Sequence, residues 1–209
     1  ISSSCEKVSA GYWNDGGGTS ATGSVISGYN GGMIEAGYYG VAGATTSTGS
    51  GAVDAGYYST GGGKSKTPGS SDCVGSGNSC GKLDVGYYCA SGAVKSNPSG
   101  AEDNVSGSSN CGTCSNKPEN SQYTDSAASN ACPWGCDGGY YSANNTSCTA
   151  VGVGNYSGDK DNNRYACTTF RANTSTIGDK SISSADCLCV AGKYWNEIEI
   201  GRASCRERV

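Results

Sequence analysis

Glu35-Ala36-Gly37-Tyr38-Tyr39, Asp54-Ala55-Gly56-Tyr57-Tyr58 and Asp84-Val85-Gly86-Tyr87-Tyr88 follow one another along the chain and decide how the rest of it is read. Ala10-Gly11-Tyr12-Trp13 precedes them, Asp137-Gly138-Gly139-Tyr140-Tyr141 follows, and Ala191-Gly192-Lys193-Tyr194-Trp195 closes the series. A Gly-aromatic step that recurs in this way predicts an array of small units, each touching mainly its neighbours. It argues against one large globular core. The aromatics of these steps carry two readings. In one they pack on a disulfide or a glycine-flattened backbone. In the other they cross-link oxidatively, adhere, or form an interface between subunits.

In the second half the spacing becomes regular. Gly86, Gly139 and Gly192 recur every 53 residues, as do Cys114 with Cys167 and Cys136 with Cys189. Gly11 and Gly37 are 26 apart, close to half that period, so the long unit reads as a fused pair of smaller ones.

Large aliphatic side chains are scarce. Leucine occurs only at Leu83 and Leu188, phenylalanine only at Phe170 and methionine only at Met33, against 35 glycines. Such a chain buries too little apolar surface to offset the ordering of its backbone, and composition alone reads as disorder. Cysteine reverses that expectation, because each disulfide restricts the unfolded chain by roughly 2–4 kcal/mol. Disulfide candidates are Cys5, Cys73, Cys80, Cys89, Cys111, Cys114, Cys132, Cys136, Cys148, Cys167, Cys187 and Cys189. Their number places the chain in an oxidising compartment, extracellular or at the cell surface. Metal-held cysteines in a reduced chain are the minor alternative.

Glu199 to Val209 resembles a common short-read sequencing adapter translated in frame, so residues 199–209, with Cys205, are set aside as an artefact. Ile1 is not an initiator methionine, and the chain is expected to be a piece of a longer one.

The formal charge is −4. No basic patch exists, which speaks against a nucleic-acid partner. No apolar run approaches the roughly 18 residues of a membrane span. Histidine is absent, which removes Ser-His-Asp and Cys-His catalysis and most catalytic zinc sites. No enzyme activity and no cofactor are expected. Cys111-Gly-Thr-Cys114 and Cys187-Leu-Cys189 have the spacing of redox or metal motifs, but in a cysteine-rich array structural disulfides are the stronger reading. Asp159, Asp161 and Asn163 alternate like the oxygen ligands of a calcium loop. Arg164 stands where the turn glycine is needed and Phe170 where the bidentate Glu is needed, so a polar turn is favoured.

Asn104, Asn144, Asn145, Asn155 and Asn173 each begin an Asn-X-Ser/Thr acceptor and are candidates for covalent glycans. Thr45-Thr46-Ser47-Thr48 is a candidate for O-linked sugar. No helical apolar period is sustained, short runs such as Val25-Ile26-Ser27-Gly28-Tyr29 read as strands, and the Gly, Asn and Ser steps between them read as turns.

Cys111-Gly-Thr-Cys114-Ser-Asn-Lys-Pro118 and Cys132-Pro133-Trp134-Gly135-Cys136-Asp-Gly-Gly139-Tyr140-Tyr141 resemble the growth-factor-receptor and ephrin-receptor-like cysteine-rich repeats, abundant on the surfaces of protists and algae. The likeness covers 111–148 and echoes across 73–195. It implies nested disulfides in an elongated ladder, a Gly-aromatic step packed over a disulfide, and a structural or adhesive extracellular role without catalytic residues. The cysteine-free stretch departs from that pattern. It reads either as a linker without order or as units ordered by packing on neighbouring chains. Cys5, 68 residues from the next cysteine, either pairs within the chain or forms an intermolecular bridge, for which it is the best candidate.

The expected fold is small, disulfide-rich and all-β, an elongated array of short hairpin-and-loop repeats with little or no helix. The expected divisions are 1–72 (cysteine-poor, Gly/Ser/Thr-rich), 73–137 and 138–198 (cysteine-rich repeats) and the set-aside 199–209. The expected role is a glycosylated subunit of an extracellular filament or appendage that self-associates into a homopolymer. The alternative is an adhesive or ligand-binding ectodomain of a cell-surface protein.

Overall fold

The computed structural model of the chain describes residues 4–99, 111–196 and 204–207. Its strands are two to four residues long and pair only as antiparallel hairpins. In order these join β1 (Tyr12–Asn14) to β2 (Gly31–Met33), β3 (Tyr38–Tyr39) to β4 (Gly51–Ala52), and β5 (Tyr57–Ser59) to β6 (Cys80–Lys82). Next come β7 (Tyr87–Cys89) with β8 (Cys111–Thr113), β9 (Ser121–Tyr123) with β10 (Trp134–Cys136), and β11 (Tyr140–Tyr141) with β12 (Thr149–Ala150). The series ends with β13 (Asn155–Tyr156) and β14 (Tyr165–Ala166), β15 (Thr174–Ser175) and β16 (Leu188–Cys189), then β17 (Lys193–Asn196) and β18 (Ser204–Glu207). Among the described residues helix is confined to one turn, α1 (Cys167–Phe170), and a 3-10 turn at Ser184–Asp186 capped by Ser183. The chain is therefore a disulfide-rich all-β repeat array.

A shared turn opens most of the hairpins. The amide after the glycine donates to the carbonyl three residues back, as in Tyr38 to Glu35 (3.2 Å), Tyr57 to Asp54 (3.1 Å) and Tyr87 to Asp84 (3.2 Å). Gly11, Gly37, Gly56, Gly86, Gly139, Gly154 and Gly192 sit third in these turns with φ between 77° and 84°. A type II turn needs a left-handed residue there, which explains the invariant glycine of the step. After Gly37, Gly56, Gly86 and Gly139 come two tyrosines and then a small residue.

The glycine carbonyl next accepts from the first residue beyond the second strand. Those bonds run from Ile34 N–H to Gly11 (3.0 Å), Val53 to Gly37, Leu83 to Gly56 and Cys114 to Gly86 (2.9 Å each). Val151 to Gly139 (3.0 Å) and Cys167 to Gly154 (2.9 Å) continue the series. All six donors have buried side chains. Each hairpin thus contributes one buried apolar or sulfur side chain, and the core is distributed along the chain.

Two compact units result. Ile1–Asn116 with Asp125–Pro133 forms one, and Lys117–Thr124 with Trp134–Val209 the other. In the first, hairpins are bonded in sequence: Gly11 N–H to Gly40 O (2.7 Å), Gly37 to Ser59 (2.7 Å) and Gly56 to Cys89 (3.0 Å). In the second, Gly139 N–H donates to Ser157 O at 2.9 Å. The compositional boundary at 72/73 lies inside the first unit and is not a structural one.

Several expectations change. The stretch 6–72 is ordered within a single chain: Val8, Ile34 and Val53 are buried there without any disulfide, and β1 to β5 repeat the hairpin pattern. Gly40 makes room for this, since a Cβ on it would meet the Ile34 side chain at 2.6 Å. Val25 to Tyr29 is not a strand. Val25 forms a single bridge to Gly18, and the Tyr29 amide turns back to the Ile26 carbonyl, with Gly28 at φ 95°.

The disulfides are sequential where the family resemblance implied nesting: Cys73–Cys80, Cys89–Cys111, Cys114–Cys132, Cys136–Cys148 and Cys167–Cys187. Cys89 and Cys111 are direct cross-strand partners in β7–β8, and every one of these bridges joins cysteines close in sequence, 7 to 22 residues apart. Cys189 is also disulfide-bonded, whereas Cys5 is free and exposed, so it is not part of the intrachain framework.

The 53-residue spacing is only partly structural. The Cys114 amide bonds the Gly86 carbonyl, but the Cys167 amide bonds Gly154 and not Gly139, because β12 and β13 lie between Gly139 and Cys167. The repeating unit is one hairpin. Within the set-aside tail, the backbone of Ser204–Glu207 pairs with Lys193–Asn196 in continuous register.

Candidate functional site

The series of Gly-aromatic hairpins is the feature these residues build most consistently. Tyr12, Trp13, Tyr38, Tyr39, Tyr57, Tyr58, Tyr87, Tyr88, Tyr140 and Tyr141 are all half-buried. In the first unit the second aromatic of each step lies directly opposite a glycine: Trp13 with Gly32, Tyr39 with Gly51, Tyr58 with Gly81 and Tyr88 with Gly112. A bare glycine lets the ring lie down on the partner strand. A Cβ added at Gly112 would sit 3.2 Å from the Tyr88 ring, and one at Gly81 3.5 Å from Tyr58. Tyr58 and Tyr87 also pack against the buried cluster of Leu83, Cys89, Ala93 and Cys111, so the rings flank the Cys89–Cys111 disulfide. The packing reading accounts for these tyrosines. For Tyr194 and Trp195 the backbone alone is described, in β17.

In the second unit the opposite residue changes. Tyr141 faces Thr149, and Tyr156 faces Tyr165. Cations lie over the rings: Arg164 over Tyr141 at 4.7 Å, Lys180 over Tyr140 at 5.1 Å and Lys117 over Tyr123 at 6.0 Å. The Tyr140 hydroxyl raises the Lys180 pKa, chiefly through a hydrogen bond.

Of the glycan acceptors, Asn144 and Asn145 lie in an exposed loop, and Asn144 accepts the Thr146 amide at 3.0 Å. Asn173 is exposed with φ 59°. Asn155 is different: it sits in β13, and its acceptor partner Ser157 is fully buried, donating to the Asp161 carbonyl at 3.2 Å. Asn104 lies outside the described residues.

The carboxylates of the candidate calcium loop have separate local partners. Asp161 accepts from the Asn163 backbone (2.9 Å) and side-chain amide (2.8 Å), closing an Asx turn, and Asp159 accepts from Gln122. Burial pushes Asp161 upward, but these hydrogen bonds outweigh it and its pKa lies below the ordinary value. Cys111 and Cys114 belong to different disulfides, and Cys187 pairs with Cys167, so neither cysteine pair forms a redox motif. Among the described residues no group of three or more His, Cys, Asp or Glu side chains converges as a metal site.

Three features escaped the sequence reading. The residue three before each turn glycine is buried at Val8, Ile34, Val53, Leu83, Cys136 and Val151, a register visible once the steps are aligned. Val151-Gly152-Val153-Gly154-Asn155-Tyr156 opens a further hairpin that Asn155 disguises. Asn120 and Asn173, with φ 56° and 59°, precede β9 and β15 in the left-handed conformation that glycine takes elsewhere. Ser142 occupies the position of Cys89, and its buried hydroxyl has no hydrogen-bond partner among the described residues.

A shallow groove of about 500 Å³ runs along Trp13, Met33, Glu35, Thr60 and Asn78 in the first unit. No helix among the described residues is long and apolar enough to cross a membrane. The fold and these hairpins define a disulfide-rich all-β repeat protein. No protein-family model, curated protein or solved structure matches the chain.

Proposed function

We propose that the chain is a structural subunit of an extracellular filament or surface appendage, stapled by disulfides and glycosylated in its exposed loops, which self-associates into a homopolymer. The observation that carries this reading is the backbone hydrogen bond by which successive turn glycines reach beyond their own hairpin, as from Gly11 to Gly40, Gly37 to Ser59, Gly56 to Cys89 and Gly139 to Ser157. A hairpin of this size is marginal alone and is completed by its neighbour, the economy of a repetitive structural protein. Five described disulfides suit an oxidising, extracellular setting. Asn144, Asn145 and Asn173 are the glycan sites that their exposure favours. Catalysis is not part of the proposal. Electron microscopy of native, unreduced material tests it: filaments with a regular subunit repeat are expected, and a monodisperse monomer overturns it.

A second reading, an adhesive or ligand-binding ectodomain, is favoured by the groove at Trp13. Its half-buried indole is ringed by Glu35, Ser47, Thr60 and Asn78, a combination suited to stacking and hydrogen-bonding a saccharide. It predicts a monomer with saturable glycan binding that Trp13→Ala abolishes.

A further inference from the structure

We propose that Tyr156 and Tyr165 form a site of oxidative cross-linking, at which hydrogen peroxide and a haem peroxidase would join the two rings into a dityrosine staple across the β13–β14 hairpin.

Tyrosine stands where a glycine faces Trp13, Tyr39, Tyr58 and Tyr88 and a threonine faces Tyr141. Tyr156 and Tyr165 are direct cross-strand partners, with ring centroids 5.5 Å apart and planes inclined by 26°. Among the described residues no other tyrosine pair is stacked in this way. Tyr165 is 42% exposed, so an oxidant reaches it from solvent. The Asp161 carboxylate, fixed by the Asn163 amides, acts on the Tyr165 phenol as a hydrogen-bond acceptor and raises its pKa. Electron loss makes the phenol proton strongly acidic, and the neighbouring Asp161 carboxylate is the acceptor suited to receive it. The β7–β8 hairpin carries Cys89–Cys111 between its strands, whereas β13 and β14 contain no cysteine.

The chemistry balances. Each phenol gives up one electron and one proton, and peroxide takes both pairs to become two waters. The two phenoxyl radicals join through ring carbons ortho to oxygen. The hydrogens on those carbons then move to the oxygens and restore two phenols. The inference does not depend on filament assembly, since both tyrosines belong to one hairpin.

The test treats the full, unreduced chain with a haem peroxidase and hydrogen peroxide. Expected are dityrosine fluorescence, a product that stays monomeric, and a mass spectrum joining the Tyr156 and Tyr165 peptides with loss of two hydrogens. Tyr165→Phe keeps the stacked ring without the phenol and is expected to reduce the monomeric cross-link at least tenfold. Tyr29→Phe, which alters an exposed tyrosine elsewhere, is expected to leave the yield unchanged. Cross-links mapped to other tyrosines, covalent dimers through Tyr156 or Tyr165, or an undiminished yield in Tyr165→Phe overturn the proposal.

Discussion

Tyr58 lies directly across the β5–β6 pair from Gly81, with its ring against the bare glycine and its body packed on the Leu83–Cys89 cluster. A half-buried ring in such a place contributes about 1–2 kcal/mol through removed apolar surface. Tyr58→Ala is expected to cost that much in urea unfolding of the oxidised chain, and Tyr58→Phe much less. Equal losses for both variants would shift the contribution from the ring to its hydroxyl.

The turn glycines differ in what surrounds them. Around Gly56 the nearest atoms to an added Cβ lie 4.0 Å away, so Gly56→Ala meets only the left-handed backbone penalty, about 1–2 kcal/mol. At Gly139 the same Cβ would collide with the Lys180 carbonyl, a backbone atom that cannot rotate aside. Gly139→Ala is expected to cost about 1–3 kcal/mol more than Gly56→Ala. Denaturant midpoints of the two variants provide the comparison.

Reduction is expected to separate the two ways in which hairpins are held. The amides of Ile34 and Val53 bond to Gly11 and Gly37 in hairpins without disulfides, so their hydrogen-exchange protection should survive dithiothreitol. Those of Cys114 and Cys167 depend on links worth roughly 2–4 kcal/mol each and should lose protection first. Ile34→Ala, in turn, should cost about 2–5 kcal/mol whether or not the chain is reduced. Uniform loss of protection on reduction would mean that the cysteine-free hairpins are not self-sufficient.

Lys82 and Asp125 form an exposed ion pair at 2.8 Å. The Lys82 hydrogen bond, followed by the Ser126 amide, holds Asp125 below its usual 3.8, and the Asp125 hydrogen bond raises Lys82 above 10.5. A depressed carboxylate contributes stability above its unfolded pKa and loses it as pH falls through the folded value. A raised lysine contributes below 10.5 and loses it as pH rises through the folded value. The pair is exposed, so the effect is small and screened by salt. Asp125→Asn should flatten the acid limb of a plot of urea midpoint against pH, and added salt should bring variant and parent together.

The turns and their strands were legible because they are local. Gly37 followed by Tyr38-Tyr39 encodes a left-handed residue and then extended backbone, whatever lies elsewhere. The near absence of helix and the disulfide-rich class followed equally from patterning and cysteine number. In Val25–Tyr29 the Ser27-Gly28 turn step overrides the strand preference of the β-branched Val25 and Ile26, and the Tyr29 amide turns back to Ile26.

What only the tertiary structure decided was which parts of the chain meet. Pairing of Cys114 with Cys132, the burial of Ile34 beside Gly40, the stacking of Tyr156 on Tyr165, and the order of residues 6–72 all belong to that level. The physical reason is visible in the bond from Gly56 to Cys89. It joins consecutive hairpins across an intervening loop, and loop lengths vary from one hairpin to the next, so no fixed spacing encodes it. A turn is set by the dihedral preferences of a few adjacent residues, whereas the contact between hairpins is set by backbone groups that must find partners once those turns have formed.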